Sequence, residues 1–228
     1  VTPRIAVVVP ARDEAERIDA CLTSLEIAAL EIPARVDVVV VADGCLDDTA
    51  ARARRHGAHV LETHGANVGG ARAAGVRRAL RRGATWIANT DADSTVPADW
   101  FAVQLALAAE GVDVVLGTVR PRFAELAVEE VTAWCRTHDA GQALGHVHGA
   151  NLGIRSSAYT RVGGYRALPE HEDTDLVDRL RLAGARIVAT AAHEVETSGR
   201  HVGRTPGGYA RYLREDLARH TRQDTSSP

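Results

Sequence analysis

Two short apolar runs, Ile5-Ala6-Val7-Val8-Val9 and Val36 to Val41, set the limits on what this chain can fold into. Both are rich in β-branched residues and close to continuous, the pattern of strands buried on both faces. Such strands need helices above and below the sheet, and the intervening segments supply them. Ala15 to Leu30 has helical spacing through Ile18, Leu22, Leu25 and Ile27, with Asp13 as its cap. Asp47 to His56 and Val68 to Arg82 read as helices too, the second opened by Asn67 and Gly69-Gly70 and ended near Gly83. Short strands around His59-Val60-Leu61 and over Thr85 to Ala88 complete the alternation, which predicts parallel pairing in an α/β layered domain.

Each buried run ends in polar or acidic residues: Pro10-Ala11-Arg12-Asp13-Glu14, then Asp43-Gly44, then Asp91-Ala92-Asp93. In open parallel sheets ligands bind beyond the carboxyl ends of the strands. Like charges gathered there repel one another unless a ligand compensates them. A nucleotide with a metal ion would do so. Asp91 and Asp93 can share a hard cation, Mn²⁺ or Mg²⁺, which keeps positions for substrate phosphates. Alone, the tripeptide also suits a polar turn with Asp93 or Ser94 as a helix N-cap, followed by Pro97 in the first helical turn. No Gly-x-Gly-x-x-Gly follows the first strand and there is no P-loop. All 27 basic residues are arginine, which excludes lysine-based chemistry.

The second half is less regular. Trp100 to Glu110 predicts a helix, Val112 to Leu116 a strand, Phe123 to Gln142 a longer helix and Asn151 to Arg155 a short strand. The acidic cluster Glu170 to Asp175 leads into a helix over Leu176 to Ala183, and Ile187–Ala189 and Glu194–Thr197 are two short strands. Ser198 to Gly208 is polar and glycine-rich, as a lid or an ordinary exposed loop would be. Tyr209 to about Arg222 is an amphipathic helix, and 223–228 is expected to be a disordered tail. Residues 1–222 thus read as one domain, with a nucleotide half (1–95) and an acceptor half (96–222).

Composition narrows the partners. A net charge of −3 without a basic block argues against nucleic acid. An aromatic share of 4% argues against a broad stacking platform. Cys21, Cys45 and Cys135 are unclustered and read as reduced thiols. The N-terminal apolar run is too short for a signal peptide, and no segment approaches the ~18 apolar residues of a membrane span. A cytoplasmic protein is expected, with peripheral membrane contact left open by Arg211, Arg214 and Arg219.

Several pieces in order resemble family 2 glycosyltransferases. They are Val8-Val9-Pro10 with Glu14, Val41-Ala42-Asp43-Gly44 with Asp48-Thr49, and Asn67-Val68-Gly69 with Ala71-Arg72. Asp91-Ala92-Asp93, Gly149-Ala150-Asn151, Gly163-Gly164-Tyr165 and Glu172-Asp173 with Asp175-Leu176 complete the pattern, over roughly residues 4 to 200. The resemblance implies a GT-A fold, a nucleotide-diphospho-sugar donor, UDP-linked by default, and a divalent metal. It implies Pro10, Arg12 and Glu14 near ribose and base, Asp43 at the base, and Asp91 at the ribose or donor sugar. Asp93 would hold the metal and Arg72 lie near the diphosphate, where Gly69-Gly70 allow close backbone approach. Asp13 stands where the family more often has Asn.

Asp173 resembles the family's catalytic base, which takes the acceptor hydroxyl's proton in an inverting transfer. The same acids would also serve as first-turn residues of the next helix, favoured by its dipole, and Asp175 reads as structural. Some GT-A enzymes use a late histidine as a further metal ligand. His201 and His193 are the candidates, against a plain loop histidine. His146 and His148 lack a third ligand at zinc spacing, and Gly149-Ala150-Asn151 with Arg155 is expected to shape the acceptor pocket. The acceptor itself, a small metabolite, glycan, peptide or lipid-linked alcohol, stays open. A non-catalytic nucleotide-sugar binder of this fold and a nucleotidyltransferase are the rival readings. The second would want a glycine- and lysine-rich first loop, which this chain lacks.

Overall fold

The computed structural model describes residues 3–65, 67–138, 141–143, 145–203 and 208–219. The strands are β1 (Arg4–Ala11), β2 (Arg35–Asp43), β3 (His59–Thr63), β4 (Trp86–Asn89), β5 (Val114–Pro121), β6 (Leu152–Arg155) and β7 (Ile187–Thr197). They form one sheet in the order β3-β2-β1-β4-β6-β5-β7. The helices are α1 (Ile18–Leu30), α2 (Thr49–Arg55), α3 (Val68–Arg81), α4 (Trp100–Ala109), α5 (Val128–Thr137), α6 (Ser156–Arg161) and α7 (Glu172–Leu182).

The buried runs behave as their composition requires. Ile5, Val7 and Val9 of β1 face one layer with Ile18, Leu22 and Leu25 of α1 and Trp100 and Phe101 of α4. Val8 faces the other, with Val76 of α3 and Leu176 and Leu180 of α7. Burying each large aliphatic side chain contributes about 1.5–3 kcal/mol, which makes this two-sided packing the main source of stability. At Gly75 an added Cβ would sit 2.5 Å from a Val8 methyl, so α3 lies directly on β1. Asn67 caps α3 by accepting from the Gly70 N–H at 2.8 Å.

Parallel pairing holds for β1 with β2 and β4, and for β2 with β3. It fails at β6, which runs antiparallel to both β4 and β5. Asn89, the last residue of β4, therefore lies beside Leu152, the first of β6, and the loop leading into β6 arrives at the edge where β4 ends. Asn89 also pairs with Val8, three positions short of the end of β1. The chain from Thr90 onward thus leaves the sheet in a notch. β5 and β7 are parallel to each other, so Thr197 reaches the same edge.

Several segments differ from the sequence expectation. The helix expected over Phe123 to Gln142 is a 3₁₀ turn at Phe123–Glu125 followed by α5, separated by extended backbone at Leu126 and Ala127, and 139–140 lie outside the described residues. β7 is one strand rather than two, and its pairing to β5 shifts register between Gly117 and Val119. α6 was not anticipated, α7 begins at Glu172 rather than Leu176, and α4 begins at Trp100, beyond Pro97. Asp13 does not cap α1, whose first residue is Ile18; it adopts φ +51° and accepts from the Leu46 N–H at 2.6 Å. The last helix is a short α turn, Tyr209–Arg211, running into a π-helical turn, Tyr212–Leu217; 204–207 and 220–228 lie outside the described residues. Among the described residues no helix is long and apolar enough to cross a membrane.

Candidate active site

The carboxyl edge of the sheet opens into a cavity of about 820 Å³. Pro10, Arg12, Glu14, Asp43, Asp91, Asp93 and Asp173 all line it. The topology accounts for this convergence: three parallel strand tips bring the first four residues and the 91–93 turn, while antiparallel β6 brings Gly149 to meet them.

Arg72 sits at the junction. Its side chain is 3% exposed, and each guanidinium nitrogen has a partner. Nε donates to Glu172 Oε1 at 2.9 Å, Nη1 to the Gly149 carbonyl at 3.0 Å and Nη2 to Asp91 Oδ1 at 2.7 Å. Burial opposes its charge, but the acids Asp91, Glu172 and Asp173 outweigh that and raise the pKa of the guanidinium. The Gly149 N–H in turn donates to Asp173 Oδ2 at 2.7 Å. A side chain at Gly149 would run into the Arg72 guanidinium, which explains the glycine. Asp91, after the tip of β4, and the first turn of α7 are thereby tied through one buried cation. Just before that turn His171 adopts φ +58°, a left-handed conformation uncommon outside glycine.

A second cation balances the metal candidate. Arg200 Nη2 lies 2.9 Å from Asp93 Oδ2, and its Nη1 donates to Glu14 Oε1 at 2.7 Å. Burial, with Asp91 and Glu14 adding repulsion, still lifts the Asp93 carboxyl to about 6 against the pull of Arg200. The loop holding Arg200 is fixed by Glu125 Oε2, which accepts from the Ser198 hydroxyl at 3.0 Å and the Gly199 N–H at 2.9 Å. Burial beside Asp93 and Asp91 pushes the Cys21 thiol well up, leaving it unreactive.

Other sequence candidates stand elsewhere. Asp43 accepts from the Thr63 hydroxyl and from the N–H groups of Gly65 and Asn67, at 2.8, 2.8 and 2.9 Å. It thus shapes the loop into α3 while lining the cavity. Gly69 is not among the lining residues; its close backbone approach is to the chain at Arg166 and Leu168. Arg72 lines the cavity, but its guanidinium is engaged by the protein rather than held out for a diphosphate. His201 is not among the lining residues, and its Nε2 lies 2.9 Å from Glu130 Oε1. His193 is fully buried and neutral, its pKa lowered to about 4 by burial. Among the described residues, the acids and thiol close enough to share an ion are Asp13, Cys45 and Asp47. Asp13 and Asp47 there already accept backbone N–H groups from Leu46, Ala15 and Thr49. Sequence reasoning missed the pairing of Arg200 with Glu14 and Asp93, because 186 residues separate Arg200 from Glu14.

The profile of Glycosyl transferase family 2 matches residues 6–158, from β1 into α6. The chain belongs to glycosyl transferase family 2. Asp173 and Arg200 lie beyond the matched span. No curated protein matches the chain in sequence. Among solved structures, the mannosyltransferase PcManGT from Pyrobaculum calidifontis, in complex with GDP-Man and Mn²⁺, aligns with TM-score 0.66 and 23% identity, covering 100% of this chain and 66% of that one. S. aureus TarS 1-349 in complex with UDP-GlcNAc gives TM-score 0.67, 16% identity and coverages of 95% and 66%. Glucosyl-3-phosphoglycerate synthase from Mycobacterium tuberculosis, in complex with phosphoglyceric acid, gives 0.58, 20%, 97% and 77%. The fold is that of GT-A glycosyltransferases. This family 2 chain spans 36% of a longer TarS chain and 66% of the mannosyltransferase.

Proposed function

We propose that the chain is an inverting glycosyltransferase. It takes a sugar from a nucleotide-diphospho-sugar, UDP-linked as the first donor to test, and passes it to an acceptor hydroxyl. The observation that carries this reading is the Arg72 clamp, which joins donor-side Asp91 to Glu172 and Gly149 beside Asp173. A nucleotide-sugar binder has no need to fix a carboxylate opposite the donor tips. The neighbours in complex with GDP-Man and Mn²⁺ and with UDP-GlcNAc support the donor class.

The half over 1–95 holds the donor: Pro10, Arg12 and Glu14 by ribose and base, Asp43 by the base, Asp91 by the ribose or sugar. A divalent cation, Mn²⁺ or Mg²⁺, would be held at Asp93, a largely enclosed oxygen donor near Asp91 and Glu14, with Arg200 giving up its contact there. Bound there, the cation would neutralise the departing diphosphate. His201 would join only by leaving Glu130, so Asp93 carries the assignment. In the half over 96–222, Asp173 takes the proton of the acceptor hydroxyl as that oxygen bonds to the anomeric carbon. The bond from that carbon to the diphosphate oxygen breaks, and the nucleoside diphosphate leaves with its electrons.

Thermal unfolding with UDP-, GDP- and dTDP-sugars, each with and without Mn²⁺, tests the reading. One donor should stabilise the fold only with the metal, by about 2.7 kcal/mol at a hundredfold excess over Kd. Asp173→Asn should keep that stabilisation and lose turnover. A chain that responds to none of these donors would overturn the proposal.

A further inference from the structure

Away from the strand tips the cavity changes character. Trp134 lies flat on His138, with centroids 4.3 Å apart and planes 3° apart. His138 meets Tyr212 edge-on at 5.8 Å, and Tyr212 lies 5.6 Å from Tyr209. Tyr209 meets His148 at 6.4 Å, and His148 meets His146 at 6.3 Å. All six rings line the cavity. Trp134 is the buried base of this wall; His138, His148, Tyr209 and Tyr212 are half-buried and His146 is exposed. Three of the chain's nine Trp, Tyr and Phe residues and three of its ten histidines thus share one surface suited to ring faces.

Among the described residues the wall offers little to an anion. Arg211 pairs with Glu215, while Arg72 and Arg200 are engaged by buried acids, and Arg12 stands at the β1 tip. Glu194 and Asp216 of the lining are likewise paired, with Arg120 and Arg219. Burial lowers His148 to about 4, so its ring is neutral at pH 7. A phosphate or carboxylate brought here would meet ring faces and side chains whose charges are already paired, and would lose its hydration without recompense.

We propose that this ring wall is the acceptor subsite and that it takes an uncharged alcohol with a flat ring face, either an aryl group or a pyranose. This rests on the transferase reading above. The ring of the acceptor stacks against Tyr209, Tyr212 and His148. Because His148 precedes Gly149, whose N–H holds Asp173 at 2.7 Å, a hydroxyl on that ring is delivered beside the proposed base. Acidic small acceptors are excluded by the same wall.

Saturation-transfer NMR on the full chain, with Mn²⁺ and with UDP or GDP, tests the assignment. The probes are phenyl β-D-glucopyranoside, phenol, methyl β-D-glucopyranoside and phosphoglyceric acid. The phenyl glucoside should bind saturably, and phenol or the methyl glucoside, whichever retains binding, identifies the ring that stacks. Tyr212→Leu should weaken the phenyl glucoside about three- to tenfold with nucleotide affinity unchanged, and Tyr212→Phe should restore it. Tighter binding of phosphoglyceric acid than of every neutral probe would overturn the proposal. So would a folded Tyr212→Leu protein with wild-type affinity, or nucleotide binding with no neutral probe bound. Phenyl glucoside binding without any nucleotide binding would keep the subsite and overturn the transferase reading instead.

Discussion

Asp93→Asn separates the cost of the proposed metal site from its use. The Asp93 side chain is 12% exposed, and burial with Asp91 and Glu14 lifts its carboxyl from 3.8 to about 6, Arg200 notwithstanding. Between these two values the folded protein holds a proton that the unfolded chain has lost. Stability therefore falls as pH rises through that window, is unaffected by this group below it, and bears the full cost above it. At about 1.4 kcal/mol per pH unit, the carboxylate costs the fold roughly 3 kcal/mol at pH 7.5 and roughly 1 kcal/mol at pH 4.5. An asparagine keeps the shape without the charge, and Arg200 keeps Glu14 as a partner. Losing the attraction between Arg200 and Asp93 offsets part of the gain. In EDTA at pH 7.5 the variant should be more stable by about 1–2 kcal/mol, a rise in melting temperature of roughly 2–8 °C. Urea unfolding at both pH values is the assay, and the advantage should shrink at pH 4.5. A variant less stable than wild type at pH 7.5, or equally favoured at both pH values, would refute the reasoning. The same variant should lose metal-dependent stabilisation by the donor, exchanging function for stability.

Three further outcomes follow from the clamp and the packing around it. Arg72→Lys keeps the charge but cannot span Glu172, Gly149 and Asp91 with one planar fork, so it should lose about 3 kcal/mol in urea unfolding. Gly149→Ala forces a side chain into the Arg72 guanidinium and should lower turnover more than donor affinity, read as kcat against KM. Gly75→Ala, outside the cavity lining, presses on Val8 and should lower stability by about 1–3 kcal/mol without moving the KM of the refolded enzyme.

The first half of the chain was legible because its signals are local. A run such as Ile5 to Val9 has one economical solution, and the acids that follow it fall at the strand ends by necessity. β6 was legible as a strand but not in its direction. Leu152-Gly153-Ile154-Arg155 reads alike either way, and the antiparallel choice is made by its neighbours. α6, Ser156–Arg161, is too short to show a period. β7 reads as two pieces because its pairing to β5 shifts register midway, where its apolar pattern lapses. Arg72 was visible in the first turns of α3, but its partners Glu172 and Asp91 stand 100 and 19 residues away. Sequence could suggest a cation near a phosphate; it could not show that protein acids already hold it.

The aromatic wall marks the sharper limit of composition as evidence. A 4% share of aromatic residues correctly signals scarcity, yet it carries no information about where the few are sent. Trp134 belongs to α5 and Tyr209 and Tyr212 to the final helical turns, and they meet through a small core of Ala133, Leu213 and Leu217 lying apart from the two layers of the sheet. That separate core exists because α5 and the last helix cover the carboxyl edge instead of a sheet face. The edge must stay open to the strand tips, so what covers it presents side chains to the cavity as well as to its own core. Half-buried rings satisfy both demands at once, with one part packed and another available to a ligand. Five of the chain's nine Trp, Phe and Tyr residues pack within the layers, Trp86, Trp100, Phe101, Tyr159 and Tyr165, and the other four gather at the edge, where a surface must be apolar and accessible together.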